Sequence, residues 1–291
     1  MEERITGTTK LFSVIGSPVS HSASPALQNF GLKACGVDGA YLAFDIKEDQ
    51  IADFVKTMRL LDIQGCNVTM PNKTAAAQNM DELSPASELI GAVNTIVNRD
   101  GKLYGHITDG EGFVANLKDH GVGVKDQNIV LFGAGGAATA ILVQCALDGA
   151  KSITVFNPRD DFYERAQKLH EKVRQRVPEC KIELYDLDAK DVMREKIDEA
   201  DILVNGTMLG MKPKEDTTVI TDTTMFHEGL VVADAVYNPE ETRLLREAKE
   251  HGCVVIPGKG MLLWQGVASF KLFTGKDMPI DGAKKLFFGE K

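Results

Sequence analysis

Two ionisable residues in separate polar segments are the first candidates for chemistry. Lys73 ends the segment 67–73 (NVTMPNK), and Asp109 lies in the segment 108–113 (TDGEGF). Both precede a glycine-rich turn at 133–138 that has the pattern of a nucleotide-binding loop. An enzyme that oxidises an alcohol needs a cofactor to take the hydride and a positioned base to take the hydroxyl proton. The order of these segments predicts a proton-transfer site beside a redox cofactor.

Each of these residues also has a purely structural explanation. Lys73 could be a solvated lysine at the start of a helix, and Thr108 with Glu111 fits a capping box in which Asp109 has no chemical role. Ser24, which is followed by a proline, has the pattern of a helix N-cap. The chemical interpretation therefore depends on their joint occurrence with a nucleotide-binding domain.

The elements that must position these residues form two series. In the first series, strands are predicted at 11–15, 41–46 and 65–68, helices at about 25–35 and 48–61, and a hairpin over 94–106. A helix from about 110 to 120 follows. This alternation of strands and helices is typical of βαβ units.

The second series contains six nearly continuous apolar strands with helices between them. The strands are predicted at 128–132, 152–156, 181–185, 201–204, 230–233 and 253–256. Strands of this kind belong in a parallel sheet that is covered on both faces. The fold class is therefore α/β and two-lobed, with a Rossmann-type doubly wound parallel sheet that follows an N-terminal α/β domain completed by C-terminal helices.

Two helical segments, at 261–273 and about 281–288, follow the last strand. Because they have no strand of their own to accompany, we expect them to pack on the first lobe. The predicted domains are a discontinuous substrate-binding domain, 1–108 with 259–291, and a nucleotide-binding domain, 109–258.

The glycine turn follows the strand 128–132 directly and leads into a helix. Its residues 133–138 (GAGGAA) are a Gly-x-Gly-x-x-Ala form of the dinucleotide fingerprint. Small residues allow backbone amides at a helix N-terminus to approach a pyrophosphate. A glycine turn without a ligand is the alternative, and the surrounding six-strand pattern disfavours it.

The end of the next strand should meet the adenosine ribose. Asn157 or Asp160 could bond the ribose diol, whereas Arg159 could meet a 2′-phosphate. The adjacent carboxylates of Asp160 and Asp161 would repel that phosphate, which favours NAD over NADP. Asp160 could also cap the following helix.

Composition excludes several other classes of protein. The 291 residues carry 33 lysine and arginine against 42 acidic side chains, a formal charge of −9 that argues against nucleic-acid binding. Five scattered cysteines without a Cys-x-x-Cys pair are typical of reduced thiols in a cytoplasmic protein. No segment has the ~18 apolar residues of a membrane span. The six histidines lack the spacing of metal ligands, so no metal is expected.

Seven ordered segments together resemble the shikimate dehydrogenase family, and within it the quinate/shikimate dehydrogenase branch, over essentially the whole chain. The segments are 16–25 (GSPVSHSASP), 67–73, 91–95 (GAVNT), 108–110 (TDG), 133–137 (GAGGA), 205–207 (NGT) and 260–265 (GMLLWQ). The resemblance implies reversible hydride transfer between NAD(H) and C3 of shikimate, and also of quinate.

The resemblance also assigns roles to residues in the first lobe. It implies that Ser22 and Ser24 hold the substrate carboxylate and that Thr69, Asn94 and Gln265 contact the ring hydroxyls. Lys73 and Asp109 would form the catalytic pair, with Lys73 the preferred proton carrier. Because such a pair titrates jointly, assigning the proton to one member is a choice of microstate.

On the cofactor side, the resemblance implies three groups of contacts. They are Ala134, Gly135, Gly136 and Ala137 for the pyrophosphate, Asn157, Arg159 and Asp160 for the adenosine, and Met208, Ala235, Val236, Tyr237, Asn238 and Gly258 for the nicotinamide half. The chain departs from the branch where Pro158 follows Asn157, at Met208 in place of lysine, and at His106-Ile107 before Thr108.

Two alternatives stay open from the sequence. One is an NADP-dependent shikimate dehydrogenase of aromatic amino-acid biosynthesis, and the other is a dinucleotide-binding sensor without turnover. Dimers are common in the family, but no feature of the sequence fixes the oligomeric state.

Overall fold

The computed structural model describes residues 5–289. The chain divides into two compact units, of which unit 1 combines Met1–Thr108 with Gln265–Lys291 and unit 2 is Asp109–Trp264. The first boundary lies between residues 108 and 109. The second falls inside a helix, between residues 264 and 265 rather than between 258 and 259.

Within residues 5–289, strands and helices alternate in both units. The strands are β1 (Lys10–Gly16), β2 (Gly39–Asp45), β3 (Gly65–Val68), β4 (Glu82–Leu83), β5 (Thr95–Arg99), β6 (Lys102–His106), β7 (Asn128–Phe132), β8 (Ser152–Asn157), β9 (Lys181–Asp186), β10 (Ile202–Asn205), β11 (Val231–Asp234) and β12 (Val254–Ile256). The helices are α1 (Ser24–Ala34), α2 (Ile51–Leu60), α3 (Lys73–Ala77), α4 (Pro85–Ile90), α5 (Asp109–Asp119), α6 (Gly136–Leu147), α7 (Asp161–Arg176), α8 (Lys190–Asp198), α9 (Arg243–Glu250), α10 (Lys259–Thr274) and α11 (Ile280–Phe288).

Unit 1 is built on a mixed sheet of order β2-β1-β3-β5-β6-β4. β1 pairs in parallel with β2 and β3, whereas β5 is antiparallel to both β3 and β6. The β5–β6 hairpin turns through Asp100 and Gly101, whose φ angles of 53° and 84° are the left-handed values that a type I′ turn requires. Because β5 runs against its neighbours, its first residues lie beside the last residues of β3 and β6.

The two C-terminal helices pack against this unit, as the sequence predicts. Phe270 of α10 is fully buried, and Phe273 lies 5.8 Å from Phe12 of β1 between ring centroids. The side-chain amide of Gln28 on α1 donates to the carbonyl of Gly266 at 2.8 Å. Residues separated by more than 200 positions thus share one core.

Unit 2 is a parallel sheet of order β12-β11-β10-β7-β8-β9. All of its strand pairs are parallel. This order is that of two mononucleotide-binding halves joined at β7 and β10, which confirms the predicted Rossmann-type fold class. The carboxyl ends of β7 and β10, where the order reverses, mark the place at which such sheets bind ligands.

One prediction about a helix start is wrong. Ser24 is the first residue of α1, and Ala23 occupies the N-cap position without a side-chain hydrogen bond. The hydroxyl of Ser22 accepts the backbone N–H of Ser24 at 3.2 Å instead. The serine two positions earlier therefore supplies the oxygen that the sequence pattern assigned to Ser24.

Candidate substrate and nucleotide sites

A buried polar network lies in unit 1 where β3, β5 and β6 meet. Its members, which we call the polar network, are Asn67, Asn94, Thr95, Thr108 and Ser269, and all five are buried. They come from the end of β3, the start of β5, the chain after β6, and α10. Buried polar groups are costly unless they are hydrogen-bonded, so a set of this size requires internal partners.

Asn67 and Ser269 join the segments of this network. The side-chain nitrogen of Asn67 donates to the backbone carbonyl of Asn94 at 3.2 Å, to the Thr95 hydroxyl at 3.1 Å and to the Ser269 hydroxyl at 2.9 Å. Because a backbone carbonyl can only accept, this contact fixes which end of the Asn67 carboxamide is nitrogen. The Ser269 hydroxyl lies 2.8 Å from that of Thr95 and 3.1 Å from that of Thr108.

The same reasoning fixes the orientation of Asn94. Its side-chain oxygen accepts the backbone N–H of Thr108 at 2.9 Å and the hydroxyls of Thr95 at 2.9 Å and Thr108 at 3.2 Å. The backbone N–H can only donate, so the atom facing it must be the oxygen. The side-chain oxygen of Asn94 is therefore already hydrogen-bonded within the protein. Its side-chain NH₂ group is the end of the carboxamide that can bond a ligand hydroxyl.

Tyr41 connects the predicted carboxylate-binding serines to this network, and the sequence reasoning missed it. Its hydroxyl donates to the side-chain oxygen of Asn67 at 2.7 Å. Burial raises the pKa of Tyr41 well above its ordinary value, although a hydrogen bond with Ser24 opposes that rise. The phenol is neutral and holds the region around Ser24 against Asn67. Asn67, a polar residue in the buried strand β3, offered a sequence signal for the network, but Tyr41 offered none.

Thr69 begins the loop between β3 and α3, and Lys73 is the first residue of α3. The Thr69 amide donates to the Ile15 carbonyl at 2.9 Å, and the Lys73 carbonyl accepts the Val93 amide at 3.0 Å. The side chain of the buried Asn72 donates to the Ile46 carbonyl at 2.7 Å. These contacts hold the start of α3 on both sides and leave Lys73 half-buried at its first position.

Asp109 and Gln265 are the first residues after the two unit boundaries, at the start of α5 and within α10. Gln265 is on α10, one turn before Ser269, whose hydroxyl donates to the Gln265 carbonyl at 2.9 Å. Asp109 is the first residue of α5 and of unit 2. The predicted pairing of Asp109 with Lys73 joins residues of different units and stays a prediction.

The nucleotide turn of unit 2 has the geometry that the fingerprint predicts. Gly133 follows β7 with φ of 101°, and an added Cβ there would lie 2.9 Å from the Thr207 side chain. A Cβ on Gly135 or Gly136 would meet no atom within 4 Å, so the space beside these residues is open. No side chain caps the start of α6. The first amides of α6, including that of Ala137, are therefore not capped by a side chain, and their contact with a pyrophosphate, like that of Ala134, stays a prediction.

The segment 157–161 begins at the last residue of β8, and we call it the ribose turn because it is predicted to meet the adenosine ribose. Its side chains hydrogen-bond mostly within the turn and to the start of α7. One carboxylate oxygen of Asp160 accepts the amides of Phe162 at 3.0 Å and Tyr163 at 3.1 Å, so Asp160 caps α7 as the alternative interpretation proposed. The same oxygen accepts the side-chain amide of the buried Asn157 at 2.9 Å. The exposed Arg159 instead bonds Asp186 at the end of β9.

A second buried network fixes the loops after β10 and β11. Asp234 accepts the side-chain amide of Asn205 at 2.9 Å, the amide of Val236 at 2.8 Å and the hydroxyl of Thr242 at 2.7 Å. Asn205 in turn accepts the amide and hydroxyl of Thr207 at 3.0 and 2.7 Å. Sequence reasoning did not identify Asp234, because an acidic residue that ends a strand resembles a loop residue.

The remaining predicted nicotinamide residues lie in these two loops, except Gly258, which follows β12. Met208 is 76% exposed and Tyr237 is 50% exposed, beside the half-buried Ala235 and the exposed Asn238. A Cβ on Gly258 would lie 2.5 Å from the Val236 carbonyl oxygen, so the backbone leaves room for glycine alone.

Two classes of feature are absent from residues 5–289. In this part of the chain, histidine, cysteine, aspartate and glutamate do not gather in threes as metal ligands. None of its helices is both long and apolar enough to cross a bilayer.

Comparison with known families gives two matches. The family model of the shikimate dehydrogenase substrate binding domain matches residues 14–96, and that of the shikimate 5′-dehydrogenase C-terminal domain matches residues 258–286. The first match contains the β3–α3 loop and Asn94, and the second contains Gly258, Gln265 and Ser269.

Curated relatives and a solved structure are similar over the full chain. A shikimate dehydrogenase (NADP(+)) of Streptococcus uberis is 49% identical, covering 100% of this chain and 99% of the relative. A protein of the same name from Listeria monocytogenes serotype 4b is 46% identical, with 98% of each covered. A crystal structure of shikimate 5-dehydrogenase from Listeria monocytogenes in complex with shikimate and NAD has a TM-score of 0.96 and 45% identity, covering 99% of both chains.

The buried carboxyl of Asp234 makes stability depend on pH. Burial raises its pKa from an ordinary 3.8 to about 6, so the folded state favours the protonated form. The protonated carboxyl of Asp234 contributes fully to the free energy of unfolding below pH 3.8, and this contribution is lost as the pH rises through about 6. Two pKa units correspond to about 3 kcal/mol.

Asp234→Asn keeps the shape and removes this titration. Between pH 4 and pH 7 the free energy of unfolding of the wild type, measured by urea titration, should fall by up to about 3 kcal/mol relative to that of the variant. Parallel stability curves for the two proteins over this range would show that Asp234 does not titrate as described.

Proposed function

The chain belongs to the shikimate dehydrogenase family, and from this premise we propose that it catalyses the reversible reduction of 3-dehydroshikimate to shikimate with NADP(H). The curated relatives that are 46–49% identical over the whole chain carry this name. The fixed orientation of the Asn94 amide supports the proposal most directly, because a polyol acid needs oriented donors for its hydroxyls.

The proposed substrate site lies in unit 1. Ser22 and Ser24 would donate to the carboxylate of the substrate, and Thr69, Asn94 and Gln265 would contact its ring hydroxyls. A site built to bond hydroxyls disfavours analogues that lack them, because its buried polar groups would then be left unpaired. The polar network holds Asn94 before the substrate binds and thereby reduces the entropy that binding costs.

Lys73 and Asp109 are the proposed catalytic pair. In ketone reduction a cationic Lys73 stabilises the negative charge that develops on the C3 oxygen and donates a proton to it. In alcohol oxidation the neutral amine accepts that proton. Asp109 would orient Lys73 or share its proton, and the pair is best treated as one titrating unit.

The cofactor supplies the hydride, and unit 2 holds the residues proposed to bind it. The first amides of α6 would bind the pyrophosphate, and the loops after β10 and β11 with Gly258 would border the nicotinamide half. Arg159 is the proposed partner of the 2′-phosphate. The names of the relatives do not support the NAD preference that the sequence suggested. The carboxylates of Asp160 and Asp161 do not decide this preference, because Arg159 directly before them offers a cation to the 2′-phosphate.

Several finer predictions accompany this proposal. Activity with quinate stays a prediction, since the relatives described above are named for shikimate. A dimer likewise stays a prediction. We also propose a cytoplasmic location, because all five cysteines are free.

A matrix of substrates and cofactors tests the proposed function. Initial rates should be measured from the absorbance of the reduced cofactor, with shikimate or quinate and with NADP+ or NAD+. We expect the largest kcat/KM with shikimate and NADP+. A larger kcat/KM with NAD+ would contradict the cofactor assignment, and no turnover with any pair would favour the sensor.

Lys73→Ala tests the proton carrier. The variant should lose about 10² to 10⁴ in kcat, the range of a positioned acid or base, while the Kd for NADP+ stays unchanged. Thr74→Ala is the matched control, because Thr74 is the exposed next residue of the same short helix. A Lys73→Ala enzyme with kcat within threefold of wild type would remove Lys73 from the chemistry.

A further inference from the structure

The cation at the ribose turn is already paired within unit 2. The Nε of Arg159 lies 2.8 Å from a carboxylate oxygen of Asp186. β8 and β9 are parallel neighbours with Asn157 opposite Asp186, so the ends of the two strands bring these side chains together. The guanidinium also lies over the Tyr163 ring, 5.3 Å from its centroid. Arg159 therefore has a defined position on the side of the turn nearest β9.

Asp186 is the more firmly held member of this pair. Its side chain is 28% exposed, compared with 72% for Arg159, and its other oxygen accepts the backbone N–H of Asp188 at 3.0 Å. This hydrogen bond and the nearby guanidinium hold the pKa of Asp186 below its ordinary value. A charged carboxylate thus remains beside Arg159 at neutral pH.

The charges around this pair determine how strongly Arg159 can bind a 2′-phosphate. Arg159 is the cation of the segment 157–161 (NPRDD), and Asp160 and Asp161 follow it directly. A phosphate that approaches Arg159 would meet a guanidinium whose Nε is engaged and a like charge on Asp186 behind it. The guanidinium still has its remaining N–H donors, so binding would be weakened rather than abolished.

We propose that Asp186 sets the cofactor specificity of this enzyme by competing with the 2′-phosphate of NADP for Arg159. Asp186 neutralises the arginine when the phosphate is absent, so that NAD leaves no unpaired cation at the turn. Asp186 also reduces the binding free energy that the 2′-phosphate of NADP gains from Arg159. The inference rests on the proposed function, because it takes unit 2 to bind NADP(H).

Asp186→Asn is the direct test. Asparagine has the same shape and keeps an oxygen for the Asp188 amide, but it lacks the charge that holds Arg159. Isothermal titration calorimetry with NADP+ and NAD+ should show the Kd for NADP+ falling about fivefold, a change of the size expected of an exposed ion pair. The Kd for NAD+ should change less than twofold. The difference should shrink at high salt.

Two further variants isolate the mechanism. Asp188→Asn removes the same charge from the neighbouring loop without removing a contact to Arg159, and it should leave the ratio of the two Kd values within twofold of wild type. In an Arg159→Gln background, Asp186→Asn should no longer change that ratio. Equal effects on both cofactors, an equal effect of Asp188→Asn, or an effect that persists without Arg159 would overturn the proposal.

The calorimetry separates this inference from the proposed function. If the protein binds both nucleotides but does not turn over shikimate, the proposed function fails while the role of Asp186 is still decided by the Kd values. If the wild-type protein binds neither nucleotide, both proposals fail.

Discussion

The hydrogen bonds that hold Asn94 in one orientation are the constraint on which the proposed substrate site depends. An asparagine can present either end of its carboxamide, but the Thr108 amide and two hydroxyls occupy its oxygen. Ser269 and Asn67 complete the arrangement by satisfying the groups around it. Because these groups are buried, breaking one bond would strand a polar atom away from water. The network therefore fixes the orientation of Asn94 in advance of any ligand.

The sequence could predict features that depend on residues close together in the chain. The Asp100-Gly101 turn, the glycine turn after β7 and the strands of unit 2 follow from local backbone preferences and apolar runs. The polar network could not be predicted in this way. Asn67 and Ser269 are 202 positions apart, and only the return of α10 to unit 1 brings them together. Tyr41 was missed for the same reason, since a buried tyrosine in β2 has no local pattern that distinguishes it from core.

The ribose turn shows a different limit. Residue types there allowed opposite conclusions about the cofactor, because a carboxylate can repel a phosphate, bond a ribose or cap a helix. Hydrogen bonds decide among these roles: Asp160 caps α7, and Asp186, which lies far from the turn in sequence, pairs with Arg159. The composition of the turn does not show which of its charges are already engaged, and the proposed role of Asp186 depends on that information.

A crystal structure of the protein with shikimate bound would test the central claim most directly. The account predicts that the side-chain oxygen of Asn94 stays on the Thr108 amide, that Asn67 and Ser269 keep their rotamers, and that the Asn94 nitrogen lies within hydrogen-bond distance of a ring hydroxyl. A rotated Asn94 whose oxygen faces the substrate, or a network rearranged around it, would contradict the claim that the orientation of Asn94 is fixed in advance.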